Sequence, residues 1–171
     1  VKATTSKKYM DLKAGHKKCD KFSIWERIDN VNYLKGELSG YNLEEEMPLE
    51  EYEKKREKLF DRYRLGQYVY DLSIQRYFIE HEFLSTHTED KLIKFRYYLG
   101  VLNADYVFDG TYEGKKPIYN PDSDGNELIT FFDMTKITEE YQKFIDGDRE
   151  KLEMYLQDLD ASPCSLSISC G

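Results

Sequence analysis

Three cysteines among 171 residues, Cys19, Cys164 and Cys170, are too few and odd in number for a disulfide scaffold. A reducing compartment is the default that follows. No apolar run approaches the roughly 18–20 residues that a membrane-spanning helix needs. The first residues do not show the basic, then apolar, then small-residue order of a secretory signal. The expected location is therefore the cytoplasm, or an organelle interior if an upstream targeting segment has been removed. GxxxxGK[ST], GxGxxG, GxSxG and Cys-x-x-Cys are all missing, which removes the phosphate-cradling loops, the nucleophile elbow and the dithiol redox pair. These absences do not reach a catalytic triad whose members meet only in the fold. There is also no internal repeat and no low-complexity linker.

What is present is charge, aromatic bulk and helical periodicity. Hydrophobic residues make up 40% and aromatics 15%, a composition that folds rather than stays disordered. The length suits one sizeable core. The formal charge of −8 is unevenly placed: residues 1–18 hold six lysines and one acid, Asp11, leaving −13 on the remainder. That pattern fits a solvated basic arm on an acidic globule, an arm that binds an anion, or an acidic body that docks on a basic partner. Direct nucleic-acid binding is expected only through the arm. The organisation expected is a basic, flexible arm at 1–18, a globular domain at 19–160 and an uncharged tail at 161–171.

Residues 48–84 contain one internal glycine, Gly66, and no proline after Pro48. Leu49, Tyr52, Leu59, Tyr63, Tyr70, Ile74, Tyr77 and Leu84 recur at steps that keep one helical face apolar. The spacing predicts one long helix, solvated in its first half and buried in its second. Ile24, Ile28, Val31 and Leu34 predict another helix at about 23–38, with Ser23 and Glu26 at capping-box spacing. Thr86 and Glu89 predict a third, to about Asn103, with Leu92, Phe95, Leu99 and Leu102 inward. Asp109-Gly110 and Asp124-Gly125 sit among β-favouring runs, predicting a small antiparallel sheet at about 106–133. A last helix, capped by Thr135 or Thr138, should reach about Leu159, with Asp146-Gly147-Asp148 as a point of division. The fold class expected is α+β and mostly helical, a bundle around the 48–84 helix.

Sites for chemistry are thin. His81 and His87 are six apart, where a zinc-protease helix needs four. His16, Cys19, Cys164 and Cys170 offer two nitrogen–sulfur pairs that could staple the termini around a zinc ion; unpaired cysteines or a disulfide explain them more simply. Residues 120–127 alternate oxygen ligands around Gly125, but Phe131 stands where a calcium loop needs an acid, and a hairpin turn accounts for Asp-Gly. No metal and no cofactor is called for. The tail, Ser162-Pro-Cys-Ser-Leu-Ser-Ile-Ser-Cys170, resembles the Ser/Cys core segments of lanthipeptide precursors over some ten residues, although a folded acidic leader of this size departs from that pattern.

The fifteen tyrosines stand out most, because tyrosine serves half-buried cores and protein interfaces alike. The functional expectation is a non-enzymatic protein-binding or regulatory role, in the form of an acidic inhibitor or adaptor occupying a basic, nucleic-acid-binding surface of another protein. The binding residues expected are Glu44, Glu45, Glu46, Glu50, Glu53 and Glu57, with Tyr97, Tyr98, Tyr112 and Tyr119. The alternatives are an accessory subunit tethered by its termini to a larger assembly, and a metal-dependent or hydrolytic enzyme without a linear motif.

Overall fold

The computed structural model describes residues 2–15, 21–86 and 94–157. In chain order these form β1 (Lys2–Thr5), α1 (Lys7–Met10), β2 (Lys13–Ala14), β3 (Phe22–Ser23), β4 (Trp25–Ile28), β5 (Val31–Leu34), α2 (Leu43–Glu46), α3 (Leu49–Arg56), α4 (Gln67–Thr86), β6 (Tyr98–Leu102), β7 (Tyr112–Glu113), β8 (Lys116–Pro117), β9 (Ile129–Asp133) and α5 (Thr135–Gln157). The five strands β1, β6, β9, β5 and β4 lie side by side in that order. β1 runs parallel to β6 and β9 parallel to β5, while the β6–β9 and β5–β4 pairs are antiparallel.

Period-two burial makes this sheet two-sided. Leu99 opposes Phe132, and Trp25 opposes Leu34; all four are buried in one core with Val101, Tyr9, Leu59, Val69, Ile137 and Tyr141. The Phe132 ring meets Trp25 edge-on at 4.9 Å and Tyr9 at 5.1 Å. The Trp25 indole N–H donates to the Tyr9 carbonyl at 2.9 Å, which settles the one polar atom of that ring. Residues on the opposite face, Ile28, Val31, Tyr33, Tyr98, Leu102, Ile129 and Phe131, are half-buried or exposed. Phe131 lies across Gly100, where an added Cβ would come within 3.1 Å of its ring.

The mostly helical bundle expected from the sequence is overturned. The described residues are 45% helical and 20% strand, an α+β mixture organised by the mixed sheet. Where a helix was expected at 23–38, residues 25–34 form the β4–β5 hairpin and Lys35–Glu37 a single 3₁₀ turn. Ile24, Ile28, Val31 and Leu34 fit helical spacing, but the hairpin buries Trp25, Asn32 and Leu34 together, and the left-handed Asp29 (φ 54°) makes its turn. Ser23 accordingly accepts the Trp25 N–H rather than capping a helix. In the predicted 86–103 helix, residues 98–102 are β6, paired on both sides. Leu92 and Glu89 lie outside the described residues. The small sheet expected at 106–133 shrinks to the β7–β8 hairpin, because β9 leaves it to pair with β6 and β5. Lys2–Thr5, read as part of a basic arm, supplies the edge strand β1, and Tyr9 reaches into the core with its hydroxyl donating to the Leu65 carbonyl.

The 48–84 helix is broken as well. α3 ends at Arg56, a 3₁₀ turn spans Glu57–Phe60, and Asp61 turns extended (φ −78°, ψ 90°). The Asp61 carboxylate accepts the Tyr63 N–H, and its carbonyl accepts the N–H groups of Arg64 and Gly66 before α4 begins. The break lets Leu59 sink fully into the core, where its carbonyl accepts the Tyr141 hydroxyl. Of the expected inward line, Tyr52 and Leu59 are buried, Leu49 and Tyr63 are exposed, and Tyr70, Ile74 and Tyr77 are half-buried. On α4, Val69 and Ser73 are buried instead, and the side chain of Leu84 lies outside what is described. α5 runs uninterrupted through Gly147. Among the described residues, no helix is long and apolar enough to cross a membrane.

Candidate functional site

The acidic segment begins at Asn42, whose side chain donates to Glu45 at 2.7 Å. Glu44, Glu45 and Glu57 are exposed. The other expected glutamates are engaged by neighbouring cations. Glu46 accepts from the Lys35 ammonium and the Tyr41 hydroxyl, and the lysine, then the tyrosine, hold its carboxyl below the usual range. Glu50 and Glu51 share Lys54 at 3.7 and 3.8 Å. Glu53 is 3.9 Å from Arg56, whose main partner is Glu140 on α5. Exposed pairs of this kind contribute little to stability but cancel much of the local field. The segment is thus less negative toward solvent than its sequence suggests.

The four tyrosines divide. Tyr97 is buried: its hydroxyl donates to Glu80 at 3.1 Å, and the Arg76 guanidinium lies 4.9 Å over its ring. Arg76 also pairs with Glu80 at 3.0 Å and donates to the Thr135 carbonyl at 2.7 Å, so this group ties α4 to the start of α5. Tyr98 stands on the open sheet face opposite Asp133, which pairs with Arg96 at 3.7 Å. Tyr112 and Tyr119 belong to the long connection between β6 and β9.

That connection, residues 103–128, is a small lobe with its own aromatic knot. Phe108 packs against Tyr112 at 5.6 Å and Tyr119 at 5.4 Å, and Tyr106 donates to the Asn120 carbonyl at 3.0 Å. Two carboxylates shape its turns. Asp109 accepts the Thr111 N–H at 2.8 Å, and this bond holds its carboxyl below the usual range. Asp122 accepts the N–H groups of Asn126, Asp124 and Val107. Desolvation pushes the Asp122 carboxyl up, but these donors, Asn126 first, outweigh it and keep the group ionised. Gly110 and Gly125 follow in left-handed conformations (φ 80° and 77°). The 120–127 oxygens weighed as a calcium loop are therefore used in hydrogen-bonding the turn. Tyr112 and Tyr119 remain 59% and 52% exposed, beside an exposed Val107. Six carboxylates face two lysines in the lobe, and among the described residues none of the six is in an ion pair.

Glu37 was not singled out by the sequence. It follows Gly36, whose N–H donates to the Tyr52 hydroxyl at 3.2 Å, and its Oε1 is buried without a hydrogen-bond partner. Burial raises its carboxyl to about 7 against the pull of Lys136 and Arg56, with Asp133 and Glu140 adding to the rise. Such a group can take up or release a proton near neutrality. The effect on stability has a definite sign. Because the folded-state value lies above the ordinary 4.5, stability is fully present below that pH and is lost as pH rises toward about 7. Glu37→Gln should remove this slope. Urea denaturation at acid pH and at about pH 8 should show the variant gaining roughly 1–2 kcal/mol on the parent across the interval. Parallel pH profiles for the two proteins would contradict the assignment.

His81 approaches the Tyr77 carbonyl through Nδ1 at 3.0 Å and stacks on the Tyr77 ring, as a helix-surface contact. His87, His16, Cys19, Cys164 and Cys170 lie outside the described residues, as does the tail with its lanthipeptide-like pattern. Among the described residues, no three His, Cys, Asp or Glu side chains come together to hold a metal. The chain matches no protein-family model, no curated protein and no solved structure.

Proposed function

We propose that this protein is a non-enzymatic binding module that docks on a basic surface of another protein, as an acidic inhibitor or adaptor does. The observation that carries the reading is the 103–128 lobe, where exposed Tyr112, Tyr119 and Val107 stand among six carboxylates and two lysines. Tyrosine provides stiff, amphipathic contact area, and unpaired carboxylates steer a basic partner and set its orientation. Phe108 and the Asp109 and Asp122 turns hold that surface in shape, which lowers the entropy lost on binding. Glu44, Glu45 and Glu57 add exposed negative charge; Glu46, Glu50 and Glu53 contribute less because cations already hold them.

Charge reversal tests this with the partner that co-purifies with the native protein. Asp105→Lys, Glu113→Lys and Asp124→Lys together leave the turn-forming carboxylates intact. This variant should associate about tenfold more slowly and show a flatter dependence on salt. Reversal of Glu44, Glu45, Glu50 and Glu57 should have the smaller effect. Unchanged association rates and salt slopes in both variants would sink the reading.

A further inference from the structure

The lysines near the start of the chain belong to a folded surface, not to a loose arm. Tyr9 and Leu12 are buried in the core. The Ser6 N–H donates to the Leu102 carbonyl at 2.8 Å, and the Ser6 hydroxyl oxygen accepts the Ala104 N–H at 2.9 Å. These contacts fix α1 with Lys7, Lys8 and the following Asp11 turned to solvent. Positions three and four apart share a helix side, so Asp11 stands beside both lysines. Next to α1, β2 pairs with β3, Lys13 opposite Ser23 and Ala14 opposite Phe22. Lys13, Lys21 and Phe22 are exposed there.

Two open clefts meet at Asp11. The first, of about 600 Å³, is lined by Lys7, Lys13, Lys21 and Phe22. The second, of about 560 Å³, is lined by Lys8, Lys58, Tyr63 and Arg64. Against these six cations the clefts hold two carboxylates, Asp11 and Asp105. Arg64 lies 3.9 Å from Asp61. Among the described residues, none of the five lysines is in an ion pair. In a chain of net charge −8, five unanswered lysines on one face are a segregation of charge. Each cleft also presents an aromatic ring, Phe22 at 43% and Tyr63 at 83% exposure. The Arg62 guanidinium lies 5.4 Å from the centre of the Tyr63 ring and extends that platform.

We infer that this face binds a single-stranded nucleic acid, laid across α1 from one cleft to the other. The cations track its phosphates, and Phe22 and Tyr63 each stack a base. A positively charged groove interleaved with exposed rings is the arrangement that holds single strands without reading their sequence. The other anionic partners fit less of it. A duplex keeps its bases stacked on one another and has none to offer the two rings. An acidic peptide answers the lysines and leaves the rings uncovered. A bilayer surface cannot follow two concave clefts. Because α1 and β2 are held by the core, little ordering is lost on binding.

Fluorescence anisotropy tests this, with labelled oligo(dT) and oligo(rU) of about twelve nucleotides titrated with the full chain. Both should bind, with log K falling against log salt at a slope of about −3 to −4, and the tighter one identifies the sugar. Lys7→Gln, Lys21→Gln and Lys58→Gln together should roughly halve that slope and weaken binding about a hundredfold at about 0.1 M salt. Phe22→Ala with Tyr63→Ala should weaken binding at least about tenfold and leave the slope unchanged. Asp105→Lys should tighten it, whereas docking of a basic protein on the lobe should suffer from the same change, so the two readings fail separately. All these positions are exposed, and unchanged circular dichroism verifies the fold. No binding of either oligonucleotide at low salt overturns the inference. Equal affinity for a duplex of the same length or for polyglutamate overturns it too, as does a ring variant that binds like the parent.

Discussion

Gly66→Ala is expected to destabilise the fold by about 3 kcal/mol or more, the reverse of what helix propensity predicts. Gly66 precedes the first turn of α4, and its carbonyl accepts the Tyr70 N–H. A Cβ there would lie 2.3 Å from the Leu59 carbonyl oxygen and 2.9 Å from the Asp61 backbone nitrogen. Both are main-chain atoms in the turn that lets Leu59 reach the core, so no flexible side chain can move aside. The backbone must shift, with loss of the Tyr141–Leu59 hydrogen bond or of Leu59 burial. Gly147→Ala is the control. It sits in the middle of a helix with open space around it, and it should stabilise the fold by about 0.5–1 kcal/mol. Urea denaturation of the two variants should therefore give opposite signs. A stabilising or neutral Gly66→Ala would mean that the 57–66 turn is not packed as described.

Phe132→Ala should cost about 3–5 kcal/mol, a large part of the roughly 5–15 kcal/mol that holds a domain of this size together. Phe132 is fully buried at the centre of the sheet, and it touches both the hairpin through Trp25 and the N-terminal segment through Tyr9. Removing the ring leaves a cavity that three separate chain segments would have to close together. Ile74 and Tyr70 offer the comparison, because the periodicity of residues 48–84 places them on the inward line. They are half-buried, and their truncation to alanine should cost about 1–2 kcal/mol each. Equal losses at all three positions in chemical denaturation would restore the long helix as the organising element and remove the sheet from that role.

The candidate site was legible in part. Charge counting located acid at residues 44–57, and the spacing of Glu50 and Lys54 is local enough to read as a helical pair, but nothing local announces that Lys35 reaches Glu46 or that Arg56 is held by Glu140 on α5. Tyr112 and Tyr119 were recognisable as surface residues from the Asp-Gly turns around them, because those turns are local. Tyr97 was not distinguishable from Tyr98, although the two point to opposite faces of one strand edge and only Tyr98 meets solvent. Glu37 carried no signal at all: burial raises its carboxyl first, Asp133 and Glu140 add to the rise and Lys136 opposes it, and these three charges are distant in sequence.

Taken alone, the sequence determined the elements whose stabilisation is local. α5 appears from Thr135 almost as its periodicity requires, and the turns at Asp109-Gly110 and Asp124-Gly125 form where the residue chemistry demands them. Helix capping, apolar periodicity and left-handed glycines act within a few residues, so a linear reading can find them. The tertiary structure alone decided that residues 25–34 and 98–102 are strands, and that the 48–84 helix breaks at Asp61. In each case the deciding interaction is a partner from far along the chain: β9 for β5 and β6, Tyr141 for Leu59, Tyr9 for Trp25. Strand pairing and burial against such partners outweigh helix propensities worth less than about 1 kcal/mol per residue, and those partners are visible only once the chain has folded.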